Sequence, residues 1–291
     1  MAEPARQFAA GQMVGARERQ EDDFAALDLS DELKQRFLFV VADGMGGHEG
    51  AAAVTQLSVR RFCEIVQAGN GALPQRLHPA ILGANESIAL AGVQDKSLAG
   101  AGCAFLSAAV DDEALSWISV GDCSLLLFRG GKLQQLNADH SMRAVLREMV
   151  TAGQLSTSAA AQDPRRAMLR SSLRGTNIRL IDISPEPMPL MPGDAVLLAS
   201  DGLETLSRRT LARILKRGAA LSPSGIVDRL MSAIRSSRAR QQDNVTIICY
   251  RFGQERRGTK RGRKLGWALF LLIFVPIVFL ATAYGLKALF P

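Results

Sequence analysis

The chain is poor in aromatic residues and has no basic face outside its tail. Aromatics make up 5% of 291 residues, thin material for stacking on nucleic-acid bases. Acidic residues stop at Glu255, while Arg256, Arg257, Lys260, Arg261, Arg263, Lys264 and Lys287 follow it. Those seven charges account for the whole formal net charge of +7, so residues 1–255 are neutral overall. A nucleic-acid reader needs a basic patch on its folded domain, so no nucleic-acid partner is expected. The four cysteines, Cys63, Cys103, Cys123 and Cys249, are scattered without a C-x-x-C pair. That argues against a zinc site and for reduced core residues in a reducing compartment. The start, MAEPARQFAAGQMVGARERQ, has no long apolar stretch, so no signal peptide is expected. The glycine-rich GMGG has no Walker lysine and serine beside it, and no G-x-G-x-x-G follows a strand, which disfavours nucleotide binding. No internal repeat is visible.

What is present begins with apolar material. At 47% hydrophobic the chain can bury a core, and its length fits one large domain or two small ones. Leu265–Leu286, LGWALFLLIFVPIVFLATAYGL, carries no charge. As a helix it spans roughly 33 Å, enough for a bilayer core. Trp267 and Tyr284 stand near its two ends, as in interfacial belts, and Pro276 is tolerable in lipid. A buried C-terminal helix is the plain alternative. The basic run before the span favours a cytoplasmic folded domain. The expected organisation is a folded domain over 8–252, a basic linker over 253–264 and a single transmembrane helix over 265–286.

Within the domain, apolar and β-branched runs predict strands at Phe37–Ala42, Gly102–Val110, Ala114–Val120, Ser124–Arg129, Ala195–Ser200 and Val245–Phe252. Gly130-Gly131 predicts a hairpin turn. Helical spacing predicts helices at Gly50–Val66, Pro79–Ala91, Met142–Ala152, Arg209–Arg217 and Pro223–Ser236. Strands and helices mix without regular βαβ alternation. That favours an α+β architecture of two sheets sandwiched between helices.

The chemistry lies where those strands end. Glu21 and Asp22 precede a short apolar run; Asp43 ends one strand and precedes Gly44; Asp122 ends another. Asp201 ends a third and precedes Gly202, and Asp243 opens a fourth. A single acid in such a place is ordinarily a turn former. Several at one edge of a sandwich repel each other and call for cations. Mg²⁺ and Mn²⁺ prefer oxygen ligands and keep several waters. Gly44 could offer its carbonyl, and Gly46-Gly47 allow close approach. Two such ions about 4 Å apart would hold and acidify a water for in-line attack on phosphorus. Arg17, five residues before Asp22, could grip a phosphate through its guanidinium; a solvated surface arginine is the alternative.

The set RERQED (Arg17–Asp22), VVADGMGGHEGAAAV (Val40–Val54), ISVGD (Ile118–Asp122), NADHS (Asn137–Ser141), LRSSLRG (Leu169–Gly175), LLASDGL (Leu197–Leu203) and QDNVTII (Gln242–Ile248) resembles the metal-dependent Ser/Thr protein phosphatases, the PPM family or type 2C, in their bacterial form. The order matches, and the resemblance covers about residues 8–252. It implies a β-sandwich of two mainly antiparallel sheets flanked by helices. It implies that Asp43 bridges two Mn²⁺ or Mg²⁺ ions and that the Gly44 carbonyl serves one of them. Asp201 and Asp243 would complete the first ion, and Glu21 or Asp22 would serve the second. Asp122 with Asp201 would make a weaker third site. Arg17 would be the phosphate-binding arginine, and the segment from Asp139 to Arg170 a flap beside the site. The implied substrates are phosphoserine and phosphothreonine on phosphorylated proteins. The implied setting is bacterial, with the anchor in the inner membrane and a cognate Ser/Thr kinase as opponent.

The sequence departs from the family pattern in places. Gln20 stands where many members have Asn, Cys123-Ser124 where Ser-Arg is usual, and Gly102-Cys103-Ala104 where Gly-Ser/Thr-Thr is usual. Met45 holds the position of a histidine, a candidate general acid, in animal-type members; it cannot donate a proton. His48 and His140 read as structural hydrogen-bonders. Cys123 and Arg129 have the C-x5-R spacing of cysteine-dependent phosphatases, but SLLLF between them is strand-like and not a glycine-rich phosphate loop. A catalytically inactive, membrane-tethered phosphoprotein-binding module of the same fold is the alternative function. Retention of every metal-site carboxylate argues against it.

Overall fold

A computed structural model describes residues 7–46 and 50–253. His48 and the expected span 265–286 lie outside the described residues, as does the expected linker beyond Gly253. Among the described residues no helix is long and apolar enough to cross a membrane.

Among the described residues are eleven strands and six α-helices: β1 Phe8–Met13, β2 Asp23–Asp28, β3 Arg36–Met45, α1 Gly50–Ala68, α2 Leu73–Gln94, β4 Gly102–Asp111, β5 Ala114–Val120, β6 Ser124–Arg129, β7 Lys132–Gln135, α3 Met142–Thr151, α4 Thr157–Gln162, β8 Asp182–Ile183, β9 Met188–Pro189, β10 Ala195–Ala199, α5 Arg208–Arg217, α6 Pro223–Ser237 and β11 Val245–Arg251. One sheet runs β1-β11-β10-β6-β7, the other β2-β3-β4-β5-β8 with β9 also on β5. Every pairing is antiparallel. The expected α+β sandwich is the observed fold.

The period-two pattern of the strands builds three apolar layers. From β3, Phe37, Phe39 and Val41 point between the sheets, where they meet Leu125, Leu198, Ile248 and Tyr250. Leu38, Val40 and Ala42 point the other way, onto α1 and α2. On the second sheet's partner, Leu197, Ile247 and Cys249 face α5 and α6. Both faces of each central strand are therefore buried, which is why these segments read as unbroken apolar runs. Phe8, Phe37, Phe39 and Tyr250 cluster at the centre with ring centroids 5.3–6.1 Å apart. Each such ring contributes roughly 1.5–3 kcal/mol through burial. Trp117, on β5, donates its indole N–H to Asp182 Oδ2 at 2.9 Å, and so fastens the short strand β8 beside it.

Three expectations are corrected. Strand β3 does not stop at Ala42; it runs to Met45, with Asp43 opposite Ala104 and Gly44 opposite Cys103. The second helix starts at Leu73, with a proline in its first turn, and passes through Pro79. A proline in the first turn needs no N–H donor, so Pro74 marks the true start. The strands β1, β2, β8 and β9 and the short helix α4 were not expected from the sequence.

Candidate metal centre

Register carries the acids to one edge. Ser124, Ala199 and Ile247 are neighbours across β6, β10 and β11. Asp122 lies two residues before Ser124, Asp201 two after Ala199, and Asp243 four before Ile247, so all three leave the sheet at the same end. In the other sheet Asp23 pairs with Ala42, which brings Asp22 and Asp43 to that end too. Five carboxylates from strands far apart in sequence thus share one rim of the sandwich.

Asp22 is buried, and its Oδ2 accepts from Ser200 Oγ at 2.7 Å and Thr246 Oγ1 at 2.8 Å. Its Oδ1 is buried with no hydrogen-bond partner. Burial pushes its pKa up to about 6, the two hydroxyls oppose that shift, and the charges of Asp201 and Asp243 add to it. Asp43 Oδ2 accepts from the Asp201 backbone N–H at 3.4 Å. Its pKa stands well above the usual carboxylate range, first through burial and then through Asp22, Asp201, Asp122 and Asp243. Asp201 is raised as well, by burial and then Asp243, against the opposing charges of Arg143 and Arg17. Asp122 is pushed up to about 7 by burial and Asp201, with Arg143 opposing.

Two glycines fit this rim for steric reasons. A Cβ on Gly44 would lie 2.5 Å from the Glu21 carbonyl oxygen, and one on Gly202 only 2.0 Å from that of Asn244. Real Cβ atoms do not approach so closely, so the chain can bring Glu21 against β3, and Asp201 against β11, only with glycine there.

Arg17 Nη2 donates to Asp243 Oδ2 at 2.6 Å, and the rest of the side chain is open, at 58% exposure. The expected phosphate-gripping residue therefore stands at the carboxylate rim, docked on one of the expected ligands. Glu21 is held there through its backbone: its N–H donates to Asn244 Oδ1 at 2.8 Å. Asn244 Nδ2 in turn donates to the carbonyls of Val14 and Arg19. This buried side chain clips the whole Arg17–Glu21 loop to β11.

Asn244, Ser200 and Thr246 are the positioning residues that sequence reasoning missed. The QDN and LLAS motifs contain two of them, but only the fold shows what they hold. Arg143 is a second omission: its Nη2 lies 3.2 Å from Asp122 Oδ2 and its Nη1 2.6 Å from Glu204 Oε2. Arg174 is a third, donating to Met45 Sδ at 3.0 Å beside the rim.

Other expectations resolve by geometry. His140 is buried, and its Nδ1 accepts the Gly121 N–H at 3.2 Å; it is a structural residue. Cys123 is buried at 1% exposure, with its thiol pushed well up by burial and the neighbouring carboxylates. Arg129 lies at the other end of β6, roughly 20 Å along a six-residue strand, and pairs there with Asp194 at 2.6 Å. The two cannot act on one phosphate.

The rim is suited to hard cations by its donor chemistry: oxygen ligands, excess negative charge, and a buried Asp22 oxygen without a donor. Among the described residues no group of three or more acids, histidines or cysteines stands close enough together to hold a metal ion as it is. Of these acids Asp243 reaches solvent, with its side chain 37% exposed; Mg²⁺ and Mn²⁺ retain waters, which such a face can accept.

The chain is similar to known protein phosphatases. The Listeria monocytogenes serine/threonine phosphatase stp is 27% identical over 233 residues, covering 78% of this chain and 87% of that protein. The protein phosphatase PhpP of Streptococcus pneumoniae is 27% identical over 228 residues, covering 76% and 87%. Among solved structures, PppA of Pseudomonas aeruginosa is 26% identical with a TM-score of 0.65, covering 84% of this chain and 97% of that one. The Mycobacterium tuberculosis phosphatase PstP/Ppp has a TM-score of 0.70 at 24% identity, covering 84% and 97%, a likeness of fold. A PstP catalytic domain solved with two manganese ions has a TM-score of 0.69, also at 24% identity, covering 84% and 96%. The sequence profile of protein phosphatase 2C matches residues 14–242. The chain belongs to the protein phosphatase 2C family, the metal-dependent Ser/Thr phosphatases.

Proposed function

We propose that this protein hydrolyses phosphoserine and phosphothreonine on phosphorylated proteins at a centre of two Mn²⁺ or Mg²⁺ ions. The observation that carries the reading is the rim of five acids, with one buried Asp22 oxygen that has no protein donor. Asp43, Asp201 and Asp243 would hold one ion; Asp43, the Gly44 carbonyl and Glu21 or Asp22 would hold the other. When bound, the ions supply an acidified water as nucleophile and polarise the phosphoryl oxygens. Ser200 and Thr246 keep Asp22 oriented and ionisable by donating to its Oδ2. The exposed N–H groups of Arg17 face outward from Asp243 and bind phosphoryl oxygens there. Met45 donates no proton, so the leaving alkoxide takes its proton from water. Cys123 takes no part, and no phosphoenzyme forms.

The test is phosphate release from a phosphothreonine peptide, with and without Mn²⁺, for the parent, Asp43→Asn and Cys123→Ser. Activity should require Mn²⁺, fall roughly a thousandfold or more in Asp43→Asn, and survive in Cys123→Ser. A folded, Mn²⁺-loaded parent without activity would falsify the reading in favour of a phosphoprotein-binding module.

The same reading places the enzyme at a bacterial inner membrane, its catalytic domain in the cytoplasm and residues 265–286 as its anchor. The uncharged run of that segment and the basic residues before it support this. An anchor confines substrate search to the membrane surface, where a membrane-linked Ser/Thr kinase would be the natural opponent. Full-length protein should sediment with membranes and need detergent, and a chain ending at Glu255 should not. Equal solubility of the two without detergent would remove the anchor. A phosphoproteome unchanged on deleting the gene would remove the kinase partnership.

A further inference from the structure

Asp122 was expected, by resemblance, to help hold a third cation. In the structure it already has one. Arg143, the second residue of α3, sends its guanidinium down to the rim. There Nη2 lies 3.2 Å from Asp122 Oδ2 and Nη1 2.6 Å from Glu204 Oε2. The arginine side chain is 16% exposed and that of Asp122 11%. Its two acids come from different parts of the sandwich. Asp122 lies in the turn that leads from β5 in one sheet to β6 in the other, and Glu204 in the 3-10 turn that begins at Asp201.

A guanidinium keeps its charge at any working pH and presents paired N–H groups in a fixed fork. Placed between two carboxylates it does the electrostatic work of a bound cation. Unlike a free ion, it is covalently part of α3 and does not depend on metal supply. Displacing it would leave a positive charge without its partners beneath the helix, a costly outcome in a largely buried site. The rest of α3 is fixed in register with it. Ser141 caps the helix by accepting the Ala144 N–H at 3.3 Å, and Arg147 pairs with Asp139 at 2.5 Å.

We infer that Arg143 takes the place of a third divalent cation, so that the centre holds two ions and no third while α3 is docked. Arg143 is then a positioning residue: one side chain pairs with both Asp122 and Glu204 and ties the expected flap to the catalytic rim. This rests on the two-ion reading above. It also identifies what would make a third site: loss of the arginine, which leaves Asp122, Glu204 and Asp201 without its charge.

The experiment is a count of bound Mn²⁺ by equilibrium dialysis of the full-length protein in detergent at saturating Mn²⁺. The variants are Asp122→Asn, Arg143→Ala, Arg143→Lys and the double variant Asp122→Asn/Arg143→Ala. The parent should bind two equivalents, and Asp122→Asn should leave that number unchanged. Arg143→Ala should rise to three and the double variant return to two. Arg143→Lys, which keeps the charge, should stay at two. A parent that binds three and loses one in Asp122→Asn would overturn the inference, and that comparison does not depend on how Arg143→Ala folds. A folded Arg143→Ala that still binds two would overturn it as well. A parent that binds none would overturn the two-ion reading and this inference with it.

Discussion

The two ends of the sandwich use the same residue types to opposite effect. At the end away from the rim, acids are matched by bases. Buried Asp194 accepts from Arg129 Nε at 2.9 and 3.1 Å and from Nη2 at 2.6 Å. Arg36 serves both Asp31 at 2.7 Å and Asp111 at 3.3 Å. At the rim, Asp22, Asp43 and Asp201 crowd together, while Arg17 touches Asp243 and Arg143 touches Asp122. A balanced end holds the fold together. An unbalanced end costs stability and is retained because something outside the chain completes it.

One substitution made at both ends should break the comparison most sharply. Asp194→Asn removes a buried carboxylate from the partly exposed Arg129 fork and should cost about 1–3 kcal/mol, read from the denaturant midpoint. Asp43→Asn, in metal-free protein, replaces a buried carboxyl crowded by Asp22, Asp201, Asp122 and Asp243 with a neutral amide and should instead raise stability by about 1–2 kcal/mol. It should also abolish the gain in thermal stability on adding Mn²⁺. If both variants lose stability in the metal-free state, the rim is not electrostatically strained and the contrast fails.

The next effect follows pH. Asp22 and Asp122 have pKa values pushed up to about 6 and about 7, so the folded chain holds these protons more tightly than the unfolded one. Their contribution favours the fold in the acidic part of the window and is lost as pH rises from the usual carboxylate range, about 4, through 6 and 7. Metal-free protein should therefore melt at a higher temperature at pH 5 than at pH 8. Mn²⁺ should stabilise most at pH 8, where the acids are ionised. Asp31 at the other end has the reverse sign. Backbone N–H groups of Leu33 and Lys34 hold its pKa down, so its contribution is present at neutral pH and lost in acid. Thermal scans at the two pH values, with and without Mn²⁺, separate these trends; a metal-free protein that melts higher at pH 8 would contradict the assignment.

The smallest effect sharpens the rim itself. Thr246→Val removes one hydroxyl donor from Asp22 and should cost about 1 kcal/mol of Mn²⁺-bound stability. The apparent Mn²⁺ affinity should weaken by up to about tenfold. An unchanged Mn²⁺ titration would mean that Ser200 alone suffices to orient Asp22.

The sequence made the rim legible because its acids sit next to long apolar runs. Asp43, Asp122, Asp201 and Asp243 were found by that adjacency. Two of the strands that failed to announce themselves, β1 and β2, lie at the edges of their sheets. FAAGQM and DFAALD are only partly buried, so no continuous apolar run was required of them. Asp43 was expected beyond its strand because glycine usually ends one; here Gly44 stays in the ladder because Glu21 packs where a side chain would be. Arg143 could not have been read at all. It follows NADHS on the second position of a helix, and nothing local says that its guanidinium reaches an aspartate in a turn between two sheets. Asn244 was in plain view in QDN, yet its role needs the Val14 and Arg19 carbonyls, some 230 residues away along the chain.

The hydrogen bond between Trp117 and Asp182 has a practical consequence. The chain has two tryptophans, and Trp117 is the one among the described residues, buried at 8% exposure. Its indole is fastened to β8, the strand on which the chain lands after passing through α3 and α4. Emission from a chain ending at Glu255 is therefore a single-site fluorescent readout of that landing point. A red shift or a change in quenching on adding Mn²⁺, or on loosening α3, would report movement of the segment over the rim without any label.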